Sequence, residues 1–359
     1  MKKYLFFSIL SASIILQSCK EDPPEPPEPL ATKAVYIGNE GLFPSGIGTL
    51  SRYTPEGNDV EHNIFQKANV YNSGASQVSI TVDGDRLFIV SAADATVYAI
   101  NTTTGIVEAK FDDFGSPRFV AKVAKDRYYI SDWEAKGVRI LNMANKKLGK
   151  VLPTGLGPER MLLHDGKMFI TNRGGVDEGK LKNDSIVTVY DVSTDTLMAS
   201  IRVGKNPNSL QLDSQNRLWV LSEGKENVAS PSQSIPGDLR IIDVDSLWVT
   251  DSIIFLDNSR RPEQLAVNKG GDKLYYMDNF ESANIRVHLT NDSIDRETVF
   301  IPGVFYGLGT DLIHDEIYVA DKSNEPLAGF VSRFGNDATL IIRFQAGIKP
   351  KSFAFQSNR

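Results

Sequence analysis

Seven times along this chain a short apolar run ends in a polar cluster, with the runs beginning at Val35, Leu87, Tyr128, Met168, Leu218, Leu274 and Ile317. The steps between them, roughly 40 to 55 residues, match repeats in which each unit is one four-stranded blade. Two more alternating runs separated by a Thr/Gly turn follow Leu87, and the arrangement recurs from Gly137, Ile186 and Asp238. These are the third and fourth strands of a blade. Ahead of most repeats stands an innermost strand entered through a Pro-containing loop, as at Ser116, Gly157, Asn206 and Arg261. The pattern predicts an all-β chain folded as a seven-bladed β-propeller over residues 34–357. The Val35 repeat lacks its innermost strand, and the segment from Lys349 has that pattern with no strand after it. The two ends of the chain are therefore expected to pair in one blade, which removes the open edges that invite aggregation.

Composition fits one compact array. A repeat protein buries its core at every neighbour contact, so 359 residues need not divide into two domains. Long helical periodicity is absent, and no apolar stretch after the N-terminus is long enough to span a bilayer, so the mature part is expected to be soluble. A net charge of −6 with scattered Lys and Arg carries no footprint for nucleic acid.

The N-terminus has the layout of a secretory signal. Two lysines precede an apolar run from Tyr4 to Leu16, too short for a membrane span, which predicts a cleaved signal peptide over 1–18. Cys19, the single cysteine, follows Leu16-Gln17-Ser18 in a motif that resembles the lipobox of bacterial lipoproteins, which implies lipidation at Cys19. A single cysteine also excludes an internal disulfide. Residues 19–33 are rich in Pro and Glu, cannot bury apolar surface, and read as a stiff solvated tether. The Lys20-Glu21-Asp22 cluster resembles the signal that sends Bacteroidetes lipoproteins to the outer face of the outer membrane, and this implies a lipid-anchored protein at the cell surface.

The first two strands of a blade are antiparallel, so the loop entering the first and the loop leaving the second open on one face. Around that central opening the entering loops carry Gln77, Arg118, Glu159, Arg160, Asn208, Gln264, Tyr306 and Lys351. The leaving loops carry Asn39, Glu40, Asp94, Asp132, Trp133, Asn172, Arg173, Glu223, Asn279, Phe280 and Asp321. Long leaving loops follow Asn39, Asn172, Ser222 and Asp321, and insertions confined to one face of a repeat protein mark its binding face. The candidate ligand-binding set is Trp133, Arg118, Phe280, Tyr306, Asn172, Arg173, Gln77, Asn208, Gln264, Glu223, Asp132 and Asn279. Each polar member has a second possible role, satisfying backbone groups in its own turn. Trp219 and Trp248 fall within strand patterns and are expected to pack.

Catalytic constellations are sparse. His164 and His314 fall in turns on the opposite face, and His62 and His288 sit in outer-strand patterns without a spaced partner. No zinc triad, nucleophile-base set or phosphate-cradling glycine loop can be assembled, so no catalytic residue and no metal ligand is assigned. Glu40, Asp132, Glu223 and Asp321 could offer oxygen to a calcium ion, or serve only as solvated loop carboxylates.

The repeats Ser185–Pro207 and Asn206–Glu223 resemble those of YVTN-type and quinoprotein-like propellers, and the resemblance covers essentially all of 34–357. With the lipobox, the acidic tether and the insert-bearing blades, the chain resembles the BtuG group of gut Bacteroidetes surface lipoproteins. That resemblance implies capture of vitamin B12 (cobalamin or another corrinoid) as ligand, without a resident cofactor, and delivery to a TonB-dependent outer-membrane transporter. Two other readings stay open. One is a surface propeller that binds a glycan or a partner protein; the other is a calcium-dependent lactonase or quinoprotein-type dehydrogenase, against which the histidine-poor ring counts.

Overall fold

A computed structural model of the chain describes residues 29–42, 46–278, 283–294, 298–321 and 326–358. Seven four-stranded antiparallel sheets are arranged as blades, as the repeats predict. The expected signal peptide, Cys19 and most of the tether lie outside the described residues.

The strand that carries the apolar signal is the second of each blade, counting from the centre. Its side chains alternate between two interfaces. In blade 2, Phe88 and Val90 pack against blade 3, while Leu87 and Ile89 pack against blade 1. Both faces of this strand are buried, so it reads in sequence as an unbroken apolar run rather than an alternation. Seven core clusters result, one at each seam between neighbouring blades. Each fully buried Val, Leu, Ile or Phe contributes about 1.5–3 kcal/mol, and the stabilising core is spread around the ring.

Closure occurs in blade 1. The C-terminal strand Pro350–Ser357 is its innermost strand and pairs antiparallel with Thr32–Asn39, with Val35 opposite Phe355 and Ile37 opposite Phe353. Tyr36 at this joint donates its hydroxyl hydrogen to Gln356 Oε1 at 3.1 Å and is also 3.2 Å from the Thr102 carbonyl in blade 2. A short α-helix, Ile64–Asn69, interrupts the all-β plan and inserts Ile64 and Phe65 between blades 1 and 2. Six residues are too few to leave a periodic signal in sequence.

Trp219 is fully buried, as its strand pattern suggests, but Trp248 is 67% exposed. It stands on the outermost strand of blade 5, where no further blade element covers it.

Candidate binding mouth

The innermost strands of blades 2 to 6 begin with a shift in register against their partners: between Gln77 and Ser79, Pro117 and Val120, Pro158 and Met161, Pro207 and Ser209, and Glu263 and Ala266. Such bulges re-aim side chains at the rim of a sheet. Here they present Arg118, Glu159, Arg160, Asn208 and Gln264 to one central cavity of about 640 Å³. In blades 1 to 5 backbone hydrogen bonds zip the entering and leaving loops together above it. In blade 4, Arg173 N–H donates to Gly157 O and Gly174 N–H to Leu156 O, both at 2.8 Å. Gly157 has φ +62°, and a Cβ there would come within 1.9 Å of the Gly174 carbonyl, so only glycine permits the approach that sets Arg173 over the opening.

Of the candidate residues, Arg118, Trp133, Arg173, Asn208, Glu223 and Gln264 converge on this cavity. Their freedom differs. Asn208 donates its amide to Pro262 O at 2.8 Å, and Gln264 donates to Tyr306 O at 3.1 Å while accepting from Leu308 N–H at 2.9 Å. Both amides stitch one inner strand to the next. Asp132, Asn172 and Gln77 are buried away from the opening. Asp132 accepts from the backbone N–H groups of Gly115, Ser116, Glu134 and Ala135; Asn172 donates to Ile186 O and Thr188 Oγ1; Gln77 donates to Ser73 Oγ. Tyr306 is also buried, its hydroxyl bonded to Glu40 and its ring 4.8 Å from the Lys351 ammonium. Asn279 and Phe280 lie outside the described residues.

Two ion-pair systems fix the walls. The Arg118 guanidinium meets the Glu159 carboxylate through bonds of 3.2 and 3.1 Å and stacks 4.3 Å from the Trp133 ring, whose Nε1 donates to the same carboxylate at 2.8 Å. Burial pushes the Glu159 carboxyl up, but Arg118 and Arg173 outweigh it and hold the group below the usual carboxylate value. Arg173 sits 3.0 Å from Glu223 and 3.6 Å from Glu263. Burial opposes its charge, yet the surrounding glutamates raise its pKa.

Three features of the cavity escape sequence reading. Glu263 is buried, one of its oxygens has no partner, and burial raises its carboxyl, outweighing the opposing Arg173 3.6 Å away. Arg160 stacks 4.2 Å from the Phe119 ring and, among the described residues, has neither a hydrogen-bond acceptor nor an ion-pair partner. A two-stranded hairpin, Gly175–Asp177 with Lys180–Lys182, rises from the leaving loop of blade 4 and places Leu181, 82% exposed, on the cavity rim. Hydrogen bonds from Lys136 and Lys182 hold the Asp177 carboxyl down at about 2 and tie this hairpin to blade 3.

The possible calcium ligands stand on separate loops, each with its own partner: Glu40 on Tyr306, Asp132 on its turn, Glu223 on Arg173, and Asp321 on Phe330 N–H and Arg343. Asp311, His314 and Glu316 do gather, on the opposite face. Glu316 is already forked onto Arg333, and Asp311 accepts from the N–H groups of Ile313 and His314. Among the described residues no helix is long and apolar enough to cross a membrane.

Similarity to other proteins concentrates on the propeller. A protein from Bacteroides thetaiotaomicron described as quinonprotein alcohol dehydrogenase-like superposes with a TM-score of 0.68 at 11% identity, covering 90% of this chain and 78% of that one. A 6-phosphogluconolactonase-like chain from Bacteroides fragilis gives 0.63 at 8% identity, covering 90% and 98%. At such identities the likeness is one of fold. Antigen Lp49 of Leptospira interrogans is 26% identical over 159 residues, 40% of this chain, and the match spans only 35% of that relative's length. Residues 33–321 match the family described as "Domain of unknown function (DUF5074)".

Proposed function

We propose that this chain, which belongs to the DUF5074 family, is a capture protein that binds a corrinoid across the mouth of its propeller without changing it chemically. The observation that carries the reading is the mixed lining of the mouth: exposed Leu181 and the Trp133 ring share one cavity with guanidinium, carboxyl and amide groups. A corrinoid is flat, with apolar faces and an edge of amide arms, so ring and periphery have complementary surfaces here. Cavities of roughly 300–1,000 Å³ enclose drug-sized ligands. A corrinoid is larger, so its ring lies over the rim with part of its edge inserted.

Pre-organisation supports the same reading. The walls are locked by the Arg118–Glu159 and Arg173–Glu223 pairs and by the inter-blade amides, so little ordering is left to oppose binding. The resemblance of the N-terminal motif to a lipobox adds the second half of the proposal: a lipid at Cys19 and a Pro/Glu tether hold the loaded propeller on the outer membrane. From there it delivers the ligand to a TonB-dependent transporter at high effective concentration.

Calorimetric titration of the purified protein with cyanocobalamin tests the capture step, with stoichiometric binding as the expected outcome. No heat and no saturation would sink it and direct attention to glycans, partner proteins or hydrolysis at the same mouth. For the delivery step, the transporter should co-purify with the protein and respond to free cyanocobalamin.

A further inference from the structure

We infer that Arg160 and Glu263 form the floor of an anion-binding site that takes a phosphoryl or carboxylate oxygen, a role independent of the corrinoid reading. Six cationic side chains and four carboxylates line the cavity, so its balance is positive although the whole chain carries −6. Most of these cations are committed. Arg118 is forked onto Glu159, Arg173 onto Glu223 and Lys182 onto Asp177; Lys351 lies 3.6 Å from Glu40. Arg160 is different. Its guanidinium is half-buried and packed on Phe119, and no acceptor reaches it among the described residues.

A half-buried cation with no protein acceptor is partly desolvated, and an anionic oxygen that supplies the missing acceptor is favoured there. Stacking on Phe119 occupies the face of the guanidinium and leaves its edge free. That edge is the fork which matches a carboxylate or phosphate with two parallel N–H bonds. Burial lowers the Arg160 pKa, with Glu159 and Glu263 opposing, but an arginine stays charged in proteins. The second unmet group lies in the same cavity: Glu263 has a buried oxygen without a partner. Burial raises this carboxyl, against Arg173 and Lys351 and with Glu223 and Glu159, which favours the protonated form. A protonated carboxyl is a donor, and a donor lining the same cavity as an unpaired guanidinium suits an anionic oxygen.

The test uses inorganic phosphate and acetate as probes on the purified protein at low, constant ionic strength held with chloride. A ligand that binds the native state raises Tm in a saturable way. The expected result is such a rise with at least one probe, lost in Arg160→Gln and weakened at least about tenfold in Arg160→Lys, which keeps the charge without the fork. Lys147→Gln, exposed on an outermost strand, should leave it intact. A stronger response to phosphate assigns a phosphoryl group, and a stronger response to acetate assigns a carboxylate. No saturable rise with either probe, or an equal rise in Arg160→Gln, overturns the inference. Should Arg160→Gln fail to fold, Phe119→Leu removes the stacking platform and must also weaken the response. Cyanocobalamin binding is read separately, so either proposal can fall while the other stands.

Discussion

Arg118 and Glu159 face each other across the seam between blades 3 and 4, joined by hydrogen bonds of 3.2 and 3.1 Å and walled by Trp133, which donates to the same carboxylate. The Glu159 side chain is only 6% exposed and the Arg118 side chain 16%. Removing one partner of a buried pair strands the other, at a cost of about 3–5 kcal/mol, whereas replacing both by apolar groups of similar volume is far milder. Glu159→Ala should therefore lower stability by about 3 kcal/mol or more in urea unfolding, and Arg118→Met with Glu159→Leu should recover most of it. Equal losses in the single and double variants would show that the pair is not what holds this seam.

Among the described residues, the two ends of the chain meet in one sheet at the joint between Thr32–Asn39 and Pro350–Ser357. Deleting residues 350–358 exposes one edge of a strand that is otherwise buried, together with apolar surface from Val35 and Ile37. The expected outcome is loss of the monomer in size-exclusion chromatography and of a single cooperative unfolding transition. A monodisperse truncated protein with unchanged unfolding would show that closure contributes little.

The propeller and its closure were legible in sequence because both rest on local patterns. The doubly buried second strand leaves an apolar run such as Leu87–Val90, and the unmatched strand from Lys349 can only complete the blade begun at Val35. The mouth was legible as a neighbourhood, since the antiparallel first pair fixes which loops share a face. What each polar residue does there was not. Asp132 satisfies backbone groups of its own turn and of the entering loop, Asn172 bonds the next strand of its blade, and Asn208 and Gln264 serve the inner strand of a neighbouring blade. The same residue types suit ligand contact equally well, and three-dimensional competition for donors decides between the roles. The isolation of Arg160 is likewise invisible in sequence, because it depends on Glu159 being taken by Arg118 and Glu223 by Arg173.

Glu263 gives a pH signature with a definite sign. Its folded carboxyl is raised above the ordinary value of 4.5, chiefly by burial, so across the window between 4.5 and the raised value the folded state binds more protons than the unfolded one. Stability contributed by this group must fall as pH rises through that window. Glu263→Gln keeps a neutral hydrogen-bonding group, and it should be more stable than the wild type above the window and match it below. Urea midpoints collected from pH 4 to pH 8 check this, and a variant less stable at neutral pH would mean that the ionised carboxylate is needed as a partner for Arg173.

Trp133 offers the sharpest test of where the ligand sits. Its ring is packed by Arg118 at 4.3 Å and lines the same cavity as Leu181. Aromatic anchors at the centre of a binding surface typically cost 2 kcal/mol or more when truncated, which is about a thirtyfold loss in affinity. Trp133→Ala should therefore weaken cyanocobalamin binding by about that factor in calorimetry. Trp248→Ala removes an aromatic that is more exposed but stands on an outermost strand, and it should leave the affinity unchanged. Because Trp133 also bonds Glu159, Trp133→Phe separates the two roles: it keeps a ring and loses the Nε1 donor. Affinity retained in the Phe variant and lost in the Ala variant locates the ligand against the ring itself. If the Trp248 variant binds more weakly than the Trp133 variant, the ligand lies on the outer strands and the central mouth is not its site.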